Sequence, residues 1–123
     1  MTKAQWIKEN LKGGEQYAGI LLGKDGAPDQ HVILIAGEAE NVTWQQAKAF
    51  AKKSGGDLPT RREQSLLIAN LKEQFQPRWY WSSEQHAAGS YFAWAQDFDT
   101  GYQYYLNISH ELRARAVRRL EIQ

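Results

Sequence analysis

The hydrophobic and polar positions in the first third of the chain predict one helix followed by a β-hairpin. Apolar side chains recur on a single helical face within residues 3–12, and a glycine pair ends that pattern. Residues 17–23 and 31–36 have the composition of strands, and turn-forming residues lie between them. We therefore expect a hairpin, with residues 1–16 as an N-terminal helix extension of the domain.

Two amphipathic helices are predicted next, and each begins with a capping box. Thr43 and Thr60 each precede a Gln or Glu by three residues, so the hydroxyl can accept a first-turn N–H while the longer side chain reaches back to the threonine N–H. In the second helix, Leu67, Leu71 and Phe75 fall four residues apart. That spacing predicts a stripe buried against the core.

The last third of the chain has the pattern of short strands and loops. We predict a strand at residues 79–83, a hairpin of residues 91–97 and 102–109 around Asp99-Thr100-Gly101, and a final strand at 114–120. The fold class is therefore α+β, as a single domain over residues 1–123.

Alternation along the predicted hairpin assigns its side chains to two faces. We expect the apolar face to hold Phe92, Trp94, Phe98, Tyr102, Tyr104, Leu106 and Ile108. The wetter face is expected to hold Asp97, Asp99, Gln103, Tyr105, Asn107 and Ser109. Of the aromatic residues, Trp79, Trp81, Phe92, Trp94 and Phe98 are predicted to belong to the core.

Composition narrows the classes of function. With 15 Lys and Arg against 14 Asp and Glu, the net charge is +1, which does not favour a nucleic-acid or membrane-surface partner. The 123 residues include no cysteine, which excludes disulfides, thiolate metal sites and cysteine nucleophiles. No apolar run is long enough to span a membrane, and the start lacks the apolar core of a signal peptide. We expect synthesis in the cytoplasm of a host cell, which is also compatible with a virion component.

Four motifs resemble those of a bacterial and phage C-type-lectin-like family. Residues 56–63, Gly-Asp-Leu-Pro-Thr-Arg-Arg-Glu, resemble its R-L-P-T-x-x-E signature, and residues 79–83, Trp-Tyr-Trp-Ser-Ser, resemble its Y-W-S-S strand. Residues 115–118 are similar to its V-R-x-V-R terminal strand, and Trp44 with Ala47 to its W-x-x-A helix. The resemblance extends over residues 42–120, whereas the first forty residues resemble no family.

This resemblance implies a C-type-lectin-like fold with adjacent termini: an N-terminal hairpin, two helices, then an irregular antiparallel sheet. The family is described as a domain of unknown function. It is kin to the C-terminal domain of a collagen-like adhesin and to phage tropism determinants, and it shares its fold with formylglycine-generating enzymes. Those enzymes use cysteines and copper, which a cysteine-free chain cannot provide.

No catalytic or metal site is predicted. His31, His86 and His110 lack the neighbouring Ser and Asp of a nucleophilic site. Asp97, Asp99 and Glu84 carry oxygens suited to Ca²⁺, but an Asp pair beside a tight turn is typical of turn chemistry. The E-P-N and W-N-D ligand motifs of calcium-dependent lectins are missing. We expect a non-enzymatic protein without a cofactor.

The expected binding face combines the polar side of the last hairpin with the neighbouring loops. Tyr beside Asn, Gln and Asp supplies rigid contact area and adaptable hydrogen bonds. The resemblance implies the same region, since phage tropism determinants place their ligand-reading residues late in the domain. The predicted binding residues are Glu84, Gln85, His86, Ser90, Asp97, Asp99, Gln103, Tyr105, Asn107 and His110. The alternative is that Tyr105 only covers the sheet.

Other clusters have a structural and a functional interpretation. The arginines at 113, 115, 118 and 119 suggest an anion patch or, as we expect, the outward side of a strand. The Arg61-Arg62 pair in a helix first turn suggests a carboxylate partner such as Glu63, or exposure. Trp6, Ile7 and Leu11 could dock the first helix on the domain or form a homo-oligomer contact.

The sequence thus predicts a binding protein of phage or prophage type that recognises a protein or a glycan. Two alternatives remain open at this stage. One is an accessory protein inside the host cell that inhibits a host defence protein. The other is a virion decoration or tail subunit assembled through its N-terminal helix.

Overall fold

The computed structural model describes residues 1–123 and shows an α+β fold with three α-helices and two β-sheets, which confirms the predicted class. The helices are α1 (Lys3–Asn10), α2 (Trp44–Lys53) and α3 (Arg61–Leu71), with a short 3₁₀ helix at Lys72–Gln74. Each α-helix begins with a complete threonine capping box, including the two that were predicted.

Eight strands form the two sheets. They are β1 (Gln16–Leu21), β2 (Gln30–Leu34), β3 (Ala39–Val42), β4 (Trp79–Gln85), β5 (Phe92–Asp97), β6 (Gln103–Asn107), β7 (Leu112–Ala114) and β8 (Val117–Glu121). One sheet has the order β1-β2-β8 and the other β3-β7-β4-β5-β6. The second sheet is mixed and not antiparallel throughout, because β4 and β7 run parallel. The predicted element order of hairpin, two helices and sheet is otherwise confirmed.

Consecutive aromatic residues on β4 divide the core into two clusters. Tyr80 and Trp81 point to opposite faces of the strand, and each is at most 1% exposed. Trp81 packs in the cluster that contains α2, whereas Tyr80 packs in the cluster that contains α3 and the smaller sheet. The predicted stripe of Leu67, Leu71 and Phe75 is buried in the second cluster. Helix α3 therefore lies between the two sheets.

The predicted final strand is wrong as a single element. It divides into β7 and β8, which belong to different sheets. Between them, Arg115 turns inward and is 9% exposed, donating hydrogen bonds to the carbonyls of Gln74 and Ile35 at 2.8 and 3.0 Å. Burial lowers the pKa of Arg115. Arginine and alanine alternate without interruption from Arg113 to Ala116, across the point where the chain changes sheet, so the sequence does not reveal it.

The other three arginines of that cluster pair with carboxylates. Arg113 bonds Glu38 and Glu40, Arg118 bonds Glu15, and Arg119 bonds Glu63 and Asp57. The prediction that these arginines point outward into solvent is therefore wrong for Arg115. The other three are held by specific carboxylates. All four have partners within the fold.

Helix α1 packs on the first hairpin through its tryptophan. The Trp6 ring lies 4.0 Å from the His31 ring and 5.2 Å from the Tyr17 ring. The Tyr17 hydroxyl hydrogen-bonds Nδ1 of His31 at 2.7 Å, and burial raises the pKa of Tyr17. These contacts correspond to the docked arrangement of Trp6, with Ile7 and Leu11 half-buried.

The capping boxes predict unequal effects of two matched substitutions. Thr60→Ala should lower the free energy of unfolding by about 1 kcal/mol, because α3 packs four buried residues against the core and loses an N-terminal acceptor. Thr2→Ala removes the same box from α1, which buries no residue, and should cost less than about 0.5 kcal/mol. Urea denaturation followed by circular dichroism measures the loss of stability in each variant. Equal losses would contradict the prediction that the cap of α3 contributes more than the cap of α1.

The Glu15–Arg118 pair predicts a loss of stability in acid. The Arg118 hydrogen bonds, the shortest at 2.7 Å, hold the pKa of Glu15 below its ordinary value of 4.5. Since the folded pKa is the lower one, the stabilisation is complete above pH 4.5 and is lost as the pH falls through the folded pKa. Glu15→Gln should cost about 2 kcal/mol at neutral pH and flatten the acid limb of the unfolding curve. The exposed Glu9→Gln is the control, and an unchanged acid limb in Glu15→Gln would refute the prediction.

Candidate binding surface

Part of the larger sheet is left uncovered where α3 begins. Gln96 is buried on the face that packs against α3, and Gln103 beside it donates to the Arg61 carbonyl at 2.8 Å. Farther along the same face, Trp94 and Tyr105 lie directly opposite each other on β5 and β6. Both are only half-buried, because the helix does not extend over them.

An aromatic patch occupies this uncovered area and extends over the edge of β6 to Tyr104, which alternates to the other face of the sheet; we define the patch as His86, Phe92, Trp94, Tyr104 and Tyr105. Tyr105 is its centre, with its ring 4.0 Å from His86, 4.6 Å from Tyr104, 5.6 Å from Phe92 and 5.8 Å from Trp94. The Trp94 and Phe92 rings meet Tyr105 nearly at right angles, the edge-to-face arrangement favoured by aromatic quadrupoles. The patch is thus a packed group of rings at the surface.

Arg61 joins the patch to α3. Its guanidinium carbon lies 3.5 Å from the centre of the Trp94 ring, within the range of a cation–π contact. Its Nε donates to Oε1 of Gln103 at 3.0 Å, and its backbone N–H donates to Oε2 of Glu84 at 2.7 Å. The suggested partner Glu63 is wrong, since Glu63 pairs with Arg119.

His86 presents a hydrogen-bond donor at the edge of the patch. Its Nδ1 accepts the Ala88 N–H at 3.0 Å, so a neutral ring carries its proton on Nε2. Its backbone N–H also donates to the Phe92 carbonyl at 2.8 Å, which fixes the start of the β4–β5 loop. A ligand on the patch would therefore meet rings, a guanidinium and an imidazole N–H.

Several predicted binding residues have their polar groups engaged in the fold. Glu84 accepts from the first turn of α3, and Gln103 bonds Arg61, Gln96 and Ser65. The Asn107 side-chain oxygen accepts the Ser109 N–H at 2.9 Å and closes the turn after β6. These residues border the patch, and their hydrogen bonds mainly stabilise the fold around it.

Asp97 does not lie on the wetter face as expected. It is 8% exposed, and its carboxylate accepts the Asp99 N–H at 2.9 Å and the Thr100 hydroxyl at 2.6 Å. Asp97 and Asp99 therefore belong to the turn at the far end of β5 from His86. In this turn Gly101 has a φ of 89°, a left-handed conformation that suits glycine.

The remaining predicted residues flank the other end of the patch. Gln85 donates to the Ser90 carbonyl at 2.9 Å across the β4–β5 loop, and both side chains are exposed. His110 is exposed in the turn after β6, where its N–H donates to the Asn107 carbonyl at 2.9 Å. The predicted binding face thus combined residues from the two ends of the β5–β6 hairpin. One end lies beside the aromatic rings, and the other is the turn that contains Asp97 and Asp99.

The sequence analysis assigned Trp94 and Phe92 to the core because it assumed the wrong hairpin register. With Trp94 placed there, nothing connected Arg61 to the binding face. A three-residue turn at 99–101 would pair Phe98 with Tyr102, whereas the observed turn pairs Asp97 with Tyr102. A slip of one residue moves every side chain to the other face. In the observed register, Trp94 and Phe92 therefore lie on the face of Tyr105 and not on the expected core face. Trp81 and Phe98 are buried as predicted. The Asp97 to Gly101 spacing, which suits an Asx turn, was the available signal.

Other features offer less chemistry. No group of three or more His, Cys, Asp or Glu residues is placed to hold a metal ion. No helix is both long and apolar enough to cross a membrane. A cavity of about 510 Å³ opens between α1 and the first hairpin, beside Trp6, Tyr17 and Ile20. A shallow depression of about 340 Å³ adjoins the patch at Arg61, Glu84 and Gln103.

No protein-family model matches the chain, and no curated protein matches it significantly.

The Tyr104–Tyr105 contact predicts an altered phenol titration. The neighbouring Tyr104 phenol raises the pKa of Tyr105 above its ordinary value of 10.0. Tyr104→Phe should lower the pKa of Tyr105 towards 10.0. Carbon-13 NMR of ring-labelled tyrosine measures this, with Tyr91→Phe as a control that leaves Tyr105 unchanged. A Tyr105 titration insensitive to Tyr104→Phe would contradict the contact.

Proposed function

We propose that this chain is a non-enzymatic binding protein that recognises a protein partner through the aromatic patch and Arg61. The observation that carries the proposal is the packing of Tyr105 against His86 and Trp94, with Arg61 3.5 Å from the Trp94 ring. Trp, Tyr and Arg are the residues most enriched among energetic hot spots of protein interfaces.

The geometry supports recognition more than catalysis. Arg61 and Gln103 hold one another through two hydrogen bonds, so the guanidinium is already oriented before a partner arrives. Preorganised side chains lose little rotational freedom on binding, which favours affinity. The rings can be covered at small cost, because their surface is apolar and their polar atoms lie at the edges.

The resemblance to C-type-lectin-like proteins supports the same interpretation. The residues of its motifs lie within or at the start of regular elements: Thr60 caps α3, residues 79–83 lie in β4, and Trp44 begins α2. The N-terminal hairpin and the terminal strand β8 also share one sheet, an arrangement compatible with the adjacent termini that the resemblance implies. In phage tropism determinants, the corresponding late region reads the ligand.

The proposal predicts that Tyr105→Ala weakens partner binding at least about 30-fold, which is the loss of a hot-spot side chain. Because Tyr105 is half-buried, the melting temperature of the Tyr105→Ala variant should fall by less than about 5 °C. Leu22→Ala, which shortens an exposed apolar side chain beside the other sheet, is the matched control and should bind normally. Titration calorimetry with the captured partner gives the affinities.

The partner is obtained by affinity capture from host lysate, read by mass spectrometry, alongside a glycan array. One host protein captured in stoichiometric amount by the wild type and lost with Tyr105→Ala would support the proposal. An inhibited activity of that host protein would further assign an accessory role inside the cell. Glycan binding without a captured protein, or capture unaffected by Tyr105→Ala and Arg61→Ala, would refute recognition of a protein through this patch.

A further inference from the structure

The two sheets have four edge strands, and three of them carry features that discourage pairing with another chain. The pairing of β1 with β2 shifts in register between Tyr17 and Gly19, and that of β3 with β7 shifts between Ala39 and Val42. The edge strand β8 is charged, with Arg118, Arg119 and Glu121, and Val117 is bridged by Asp57. Bulges and charges are the usual protection of sheet edges.

The fourth edge strand, β6, has no such feature. Its register with β5 is continuous from Gln103 to Asn107, and none of these five residues is charged or proline. Hydrogen bonds from Asp97 N–H to the Tyr102 carbonyl and from Ile108 N–H to the Tyr91 carbonyl set the alternation of this ladder. By that alternation, the N–H and C=O groups of Gln103 and Tyr105 point away from β5.

These outward groups have no partner within the chain. No strand lies beyond β6, and no turn, cap or side-chain hydrogen bond involves the N–H or C=O of Gln103 or Tyr105. Beside them, Tyr102 and Tyr104 are 72% and 53% exposed. The edge therefore combines free backbone donors and acceptors with large exposed rings.

We propose that β6 pairs antiparallel with β6 of a second copy of this chain, around a two-fold axis at Tyr105. In this register, the outward groups of Tyr105 meet those of Tyr105 in the second copy, and Gln103 faces Asn107. Tyr104 then lies opposite Leu106, and Tyr102 opposite Ile108. The two five-stranded sheets join into one continuous sheet.

The sequence of the edge favours a second copy as the occupant. An isologous contact places each residue opposite one from the same short segment, so the segment must complement itself. Here amide meets amide, aromatic meets aliphatic and Tyr meets Tyr, all of which are favourable cross-strand pairs. No like charges are brought together, because residues 102–108 contain no charged side chain.

The absence of cysteine makes the register directly testable by cross-linking. Opposed residues of a hydrogen-bonded pair have Cα atoms about 5.5 Å apart, which a disulfide can bridge. Tyr105→Cys should therefore form a covalent dimer on mild oxidation. In Tyr102→Cys the two sulfurs belong to strands offset by six residues, about 20 Å apart, so no dimer should form. Cross-linking of Tyr102→Cys as readily as Tyr105→Cys would overturn the register.

Association itself is measured by sedimentation equilibrium and light scattering on the full chain. Wild-type protein should show a concentration-dependent dimer, and Tyr104→Lys should raise its dissociation constant at least about tenfold, because two Tyr–Leu pairs are lost. Tyr91→Lys changes another exposed tyrosine, outside β6, and should have little effect. Circular dichroism melting confirms that each variant is folded.

Three results would overturn the proposal. The first is a monomer at every concentration up to the millimolar range. The second is a dimer unaffected by Tyr104→Lys. The third is a dimer lost with Trp6→Ala, which would place the contact at α1. The proposal does not rest on partner recognition by the aromatic patch, since the wild-type dimer is measured without a ligand.

Discussion

The buried ion pair between Glu63 and Arg119 is the contact on which the placement of the other elements depends. Glu63 is 1% exposed; its Oε1 accepts from the Thr60 N–H at 2.8 Å and from Nη2 of Arg119 at 2.7 Å, while Oε2 accepts from Nε at 2.6 Å. One carboxylate thus caps α3 and fastens it to β8. The pair raises the pKa of Arg119, so the charge persists. Removing Arg119 would leave the buried Glu63 carboxylate without its ionic partner, at a cost of about 3–5 kcal/mol.

The position of the aromatic patch follows from this fastening. Arg61 is the first residue of α3, two residues before Glu63, so the ion pair also fixes the origin of the Arg61 side chain. From there its guanidinium reaches Trp94 and Gln103, while Glu84 accepts its backbone N–H. The patch is built from strands and a helix terminus and not from a free loop. In the proposed function, a surface held in this way would keep its geometry between the free and bound states.

The parts of this structure that could be predicted from sequence are those decided locally. Capping boxes, the Leu67–Leu71–Phe75 stripe and the first hairpin depend on residues close together in the chain, and all are confirmed. The errors concern pairings between distant residues and one local feature, the register of the last hairpin. Glu63 and Arg119 are 56 residues apart, and nothing near either one specifies the other. The hairpin register depends on where one Asx turn begins, and a single-residue difference decided whether Trp94 belonged to the core or to the patch.

The aromatic patch and the open edge of β6 meet at Tyr105. Its backbone faces outward along the sheet, whereas its ring lies on the face shared with Trp94 and His86. A two-fold axis through antiparallel edge strands is perpendicular to the sheet, so both copies present this face on the same side. The two patches would then be neighbours, with the Tyr105 rings nearest the axis and His86 and Trp94 farther out. A partner with two copies of its own epitope would gain avidity from that arrangement without any additional contact in either patch.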